Sequence, residues 1–165
     1  MTPRNFIVLF VAVAFTFAAR AAGAADSAAS KAQNSPEGKK IVALVNDAVK
    51  LVEQKGKDAF PELRKDKKWN NGDTYIFIDR YDGVVLVLPP TPETEGKNLI
   101  DFQDAKGKKL VRELIQVAKS KGSGWVEYYW PKPGAQKESK KLSYVKKAKL
   151  PTGENVVVGS GIYVD

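Results

Sequence analysis

The sequence predicts an α+β domain: a sheet of about five antiparallel strands with helices covering one face or edge. Three observations point there. Segments of helical and of strand period follow one another as helix, two strands, loop, helix, three strands. Adjacent strand segments are joined by short turns, which antiparallel pairing allows and parallel pairing does not. The alternation of strand and helix that a doubly wound sheet needs is absent.

The first 24 residues predict an export signal rather than fold. Arg4 supplies a positive start, Phe6 to Ala18 is apolar apart from Thr16, and Ala22-Gly23-Ala24 fits a small-residue cleavage site. The apolar run is short for a membrane span, so cleavage is expected and an uncleaved anchor is the alternative. Residues 25–36 are small and polar and predict a flexible leader. A helix is expected from Pro36, with Ser35 as N-cap, an apolar stripe at Ile41, Leu44, Val45, Ala48, Val49 and Val52, and Gly56 as its stop. A short helical stretch over Asp58 to Arg64 follows. Residues 74–79 (TYIFID) are β-rich, Asp82-Gly83 signals a hairpin, and residues 83–89 (GVVLVLP), apolar on both faces, predict a central strand. Residues 91–107 lack periodicity and predict a long functional loop. Leu110, Val111, Leu114, Ile115 and Ala118 form the apolar face of a helix over Lys108 to Lys121, ended by Gly122. Strands are predicted at 125–130, 141–150 and 155–164.

Composition limits the chemistry. The chain of 165 residues has no Cys and no His. That excludes disulfides, thiol nucleophiles, imidazole bases and Cys or His metal ligation. The formal net charge of +8 falls to about +6 when Arg4 and Arg20 leave with the signal. Export argues against nucleic acid as the partner of this basic chain. In 125–130 (WVEYYW) strand alternation puts Val126, Tyr128 and Trp130 on one face and Trp125, Glu127 and Tyr129 on the other. Six lysines between Lys137 and Lys149 predict a solvated edge strand, from which one Lys facing inward could hold a carboxylate. Asp79, Asp82, Asp101 and Asp104 cluster around the hairpin and loop without the ladder of a calcium loop. Gly159-Ser160-Gly161 is no nucleophile elbow and predicts a bulge or a close backbone approach. No nucleophile–base pair is visible, so no enzyme is expected, and no cofactor or metal.

Taken in order, the strand-DG-strand hairpin at 74–89, GKNL (96–99) with D-x-x-G (104–107) before a helix, GWVEYYWPKPG (124–134), KLSYVK (141–146) and VVGSGIY (157–163) resemble a Cache domain of the small, single-unit type. The resemblance spans roughly residues 37–165. It implies a PAS-like fold, with the long N-terminal helix packed on one sheet face and a ligand pocket on the other. It implies an exported, stand-alone extracytoplasmic sensor domain, periplasmic or secreted, that binds a small carboxylate-like molecule. Such a module would signal through a separate membrane receptor, kinase or transporter. By position, the resemblance places Tyr75, Phe77, Tyr128 and Trp130 in the pocket wall, Lys141 and Tyr144 as polar contacts, and the 91–104 loop as a lid. Many relatives carry a His before the proline where this chain has Leu88-Pro89, which makes the pocket more apolar there. The chain ends just after its last strand, so no second span and no output domain are expected in it. The alternative from another class is an interaction module that has lost its ligand and binds an acidic envelope partner through its basic strand.

Overall fold

The computed structural model describes residues 30–32 and 34–164. The expected signal peptide lies outside them. Among the described residues no helix is long and apolar enough to cross a membrane. Residues 30–32 and 34 are helical, inside the stretch expected to be a leader.

Helix α1 (Pro36–Lys55) begins where the sequence puts it. The Ser35 Oγ accepts a hydrogen bond from the Gly38 N–H at 2.9 Å, which satisfies one of the orphan donors of the first turn. Gly56 ends the helix at φ +60°, a left-handed conformation that a side chain would resist. One 3-10 turn (Gly56–Ala59) leads into α2 (Phe60–Lys65). A two-residue ribbon, β1 (Asn70–Asn71) and β2 (Thr74–Tyr75), precedes the sheet. The sheet strands are β3 (Phe77–Arg80), β4 (Val85–Val87), β5 (Ser123–Pro131), β6 (Glu138–Lys149) and β7 (Asn155–Tyr163). Helix α3 (Leu110–Lys121) lies between β4 and β5 in the chain.

The sheet order is β4-β3-β7-β6-β5, and every pairing is antiparallel. The last strand is therefore the central one, and it joins the 74–89 hairpin to the C-terminal hairpin. Two sequence expectations are corrected here. The 83–89 strand is not central: β4 is an edge strand. It is apolar on both sides because Val87 enters one core and Val85 the other. Its outer edge is covered by the following loop, with Val85 N–H donating to the Lys97 carbonyl and Gly96 N–H to the Val85 carbonyl. The lysine-rich strand is not an edge: β6 lies between β5 and β7. Its lysines divide along its length, with Lys147 and Lys149 exposed near its C-terminal end and Lys141 fully buried nearer its start.

Both sheet faces are covered. On one, α1 buries Ile41, Val45, Ala48, Val49 and Val52 against Ile76, Ile78, Val87, Val156 and Val158. On the other, α3 buries Leu110, Val111, Leu114, Ile115 and Ala118 against Phe77, Val85, Val126, Val145 and Val157. Alternation along each strand sends neighbouring residues to opposite cores, as with Val157 and Val158.

Candidate ligand-binding site

A cavity lies between the α3 face of the sheet and the segment that covers it. Tyr75, Phe77, Asp79, Val85, Tyr128 and Trp130 of the sheet side line it. Leu88, Leu99 and α3 residues Leu110, Val111 and Leu114 close it. Its volume of about 30 Å³ holds about two water molecules. A backbone device makes this room. A Cβ built on Gly159 would lie 2.3 Å from the Phe77 ring, so the ring lies over bare β7 backbone. At Gly161 a Cβ would come 2.3 Å from Ser143 Oγ. The close approach expected at these glycines is thus present, and Ser143 stays free to meet the Tyr128 hydroxyl at 2.9 Å.

Lys141 stands opposite Tyr128 on β5 and Tyr163 on β7, on the cavity face of the sheet. It is fully buried, and its Nζ has no hydrogen-bond partner. The ammonium instead sits among aromatic faces, 3.8 Å from the Tyr75 ring centroid and 4.9 Å from that of Tyr163. Burial lowers its pKa to about 7, and only Asp73 acts weakly in the other direction. Burial also raises the hydroxyls of Tyr75 and Tyr128, which stay protonated as hydrogen-bond donors or acceptors. Tyr163 donates to the Pro131 carbonyl at 2.6 Å, which fixes its ring beside the lysine.

Of the residues placed by resemblance, Tyr75, Phe77, Tyr128 and Trp130 line the cavity, and Lys141 lies against Tyr75. Tyr144 does not. It faces α1, with its ring 5.5 Å from that of Trp125 and its packing in the opposite core. The reason is parity: residues 141 and 144 of one strand point to opposite faces. The 91–104 loop sends one side chain, Leu99, to the cavity, and α3 supplies more of the cover.

The four acids singled out in the sequence separate by role. Asp82 pairs with Arg80, and Asp101 with Lys109 and Arg112. Asp104 accepts the backbone N–H groups of Lys106, Lys108 and Tyr129, which hold its carboxyl below the usual range against the opposing pull of desolvation. Asp79 alone of the four has neither a hydrogen bond nor an ion pair, and it lines the cavity. Burial pushes its pKa up to about 7. Among the described residues no group of acids is placed to hold a metal ion.

The arrangement is an apolar chamber with two unpartnered buried ionisable groups on its sheet face and a few aromatic hydroxyls, a lining suited to a small molecule. The chain is 33% identical over 93 residues to the methyl-accepting chemotaxis protein McpP of Pseudomonas putida, covering 56% of this chain and 16% of that protein. Over the same length it is 39% identical to the sensor histidine kinase MctS of Rhizobium johnstonii, covering 56% of this chain and 19% of that protein. The match thus spans less than a fifth of the length of each of these relatives. Among solved structures it is similar to a periplasmic sensor domain of a chemotaxis protein, at TM-score 0.62 and 30% identity, over 85% of this chain and 97% of that one. It is also similar to a Cache chemosensory domain described as a basis for carboxylic acid recognition, at TM-score 0.61 and 27% identity, over 88% of this chain and 95% of that one. The model of the Cache domain family, a ligand-binding rather than a catalytic fold, matches residues 30–165, and the chain belongs to that family.

Proposed function

We propose that this chain is the ligand-binding part of an extracytoplasmic sensing system and takes a small carboxylate into the cavity beneath α3. The observation that carries the reading is Lys141, a fully buried ammonium with no acceptor. An unpaired buried cation is costly, and an anion bound beside it removes that cost. The aromatic rings around Nζ support this arrangement, since they stabilise the cation without occupying the place of an anion. The carboxylic acid named for the solved relative is consistent with it. At about 30 Å³ the chamber has room for about two waters, so the ligand enters as α3 and the segment before it move away from the sheet. That movement is the event a membrane receptor, kinase or transporter would read. The chain is exported and acts as a soluble module on this reading.

Thermal denaturation with a panel of short carboxylates tests it. A ligand at 100 times its Kd stabilises the fold by about 2.7 kcal/mol. Lys141→Met abolishes the shift, whereas Tyr144→Phe, on the far face, leaves it in place. No shift across the panel would overturn the reading.

A second reading draws on a different observation. The α1 side carries a groove of about 790 Å³ lined by Lys50, Lys121, Lys146, Lys147 and Lys149 against the single acid Glu53. An acidic envelope partner docking there would bind with steep salt dependence, and Lys147→Glu would weaken it.

A further inference from the structure

Asp79 lines the cavity and, like Lys141 on the same sheet face behind Tyr75, has no partner. Its side chain shares a face with Phe77 and Tyr75, because residues 75, 77 and 79 alternate with Ile76 and Ile78 of the opposite core. It is 4% exposed and sits on the cavity wall with Val85 and Leu114. A carboxyl so placed needs a hydrogen-bond donor or a cation, and the protein supplies neither. Asp79 and Lys141 do not serve one another. No ion pair joins them, and burial is the one cause that shifts Asp79.

We propose that Asp79 is a second recognition group, and that the ligand carries an amine for Asp79 at one end and a carboxylate for Lys141 at the other. The inference rests on the cavity being the ligand site and names the class of ligand. Between the two ends the lining is apolar and aromatic: Phe77, Leu88, Leu99, Leu110, Val111 and Leu114. The ligand's middle is therefore a hydrocarbon chain. Its length is set by the strand. The Lys141 ammonium lies over Tyr75 and also 5.9 Å from the Phe77 ring, and these stand four and two residues before Asp79, or roughly 13 and 7 Å in nearly extended chain before side-chain reach is subtracted. An α-amino acid, whose two charged groups share one carbon, offers the shortest reach between the two groups. A linear ω-amino carboxylate reaches further. The protonated amine would hold Asp79 ionised, as an opposite charge does for any buried carboxylate. The bound pair at each end would replace two unsatisfied groups.

Isothermal titration of the full chain tests this with two matched series. One is 4-aminobutanoate, 5-aminopentanoate and 6-aminohexanoate; the other is butanoate, pentanoate and hexanoate. The expected result is at least ten-fold tighter binding of one ω-amino acid than of its chain-matched monocarboxylate, and loss of that preference in Asp79→Asn. A thermal melt of the variant checks that it is folded. Monocarboxylates that bind as well as their amino counterparts to the wild type would overturn the inference and leave the carboxylate reading standing. So would a preference that persists in Asp79→Asn. Failure of both series to bind would overturn the two together.

Discussion

Lys141 and Asp79 place function and stability in opposition at single residues. Replacing the buried ammonium by the apolar side chain of Met removes an unsatisfied group. Lys141→Met should therefore raise the unfolding free energy by about 1–3 kcal/mol in urea denaturation while it abolishes carboxylate binding. A loss of stability on that substitution would mean that Nζ is satisfied in solution. The pH profile follows from the same two groups. The folded protein keeps the Asp79 proton up to about pH 7, whereas the unfolded chain loses it near the usual 3.8. Between those values the native state binds more protons, so stability falls as pH rises. The Lys141 ammonium does the converse. Its pKa falls from 10.5 to about 7 on folding, so the unfolded chain binds more protons above neutrality and stability rises again. Together they put a minimum near pH 7. Denaturation at pH 5, 7 and 9 should show it, with the acid limb lost in Asp79→Asn and the alkaline limb lost in Lys141→Met. Both residues were accessible to strand parity. Alternation puts Tyr75, Phe77 and Asp79 on one face, yet the resemblance marks only the aromatic pair as site-forming. The same parity forbids Lys141 and Tyr144 from sharing a site.

At the scale of elements, α1 was legible because its signals are local: a Ser cap, a Pro in the first turn, an apolar stripe and a Gly stop. The strands were legible as strands for the same reason. Their order was not, since a period of two says which side chains share a face but not which strand lies alongside. The double apolar character of 83–89 came from burial on both faces, which an edge strand also has when a loop covers its flank. The loop is held by Arg64, whose guanidinium clasps the Glu95 carboxylate at 2.6 Å and donates to the Leu86 carbonyl. That clasp joins residues 31 apart and has no signature in either segment. On β7, Gly159→Ala should destabilise the fold by about 1–3 kcal/mol, because the added methyl collides with the Phe77 ring. An unchanged urea midpoint would show that Phe77 has room to swing away.

At the scale of the whole molecule, one sheet separates two cores. The α1 side is packed around fully buried Val45, Ala48 and Val52, while the α3 side contains the cavity and both unpartnered ionisable groups. On the proposed reading, movement on ligand entry belongs to the α3 side. The cover on that side is fastened to the outer edge of β5: the Asp104 carboxylate accepts the Tyr129 N–H at 2.9 Å, and the Lys108 ammonium donates to the Glu127 carbonyl. Asp104→Ala should accelerate hydrogen exchange at the Tyr129 amide by more than ten-fold while amides of β7 hold their protection, and equal rates in both proteins would refute the fastening. This seal has a consequence for colloidal behaviour. When the cover lifts, the Tyr129 N–H and the Glu127 carbonyl of this aromatic-rich edge strand lose their partners, on the kind of border to which a second chain can add as a further strand. Solubility is then hostage to closure: a ligand that closes the cover also guards against self-association, and variants that weaken the seal should precipitate first in its absence.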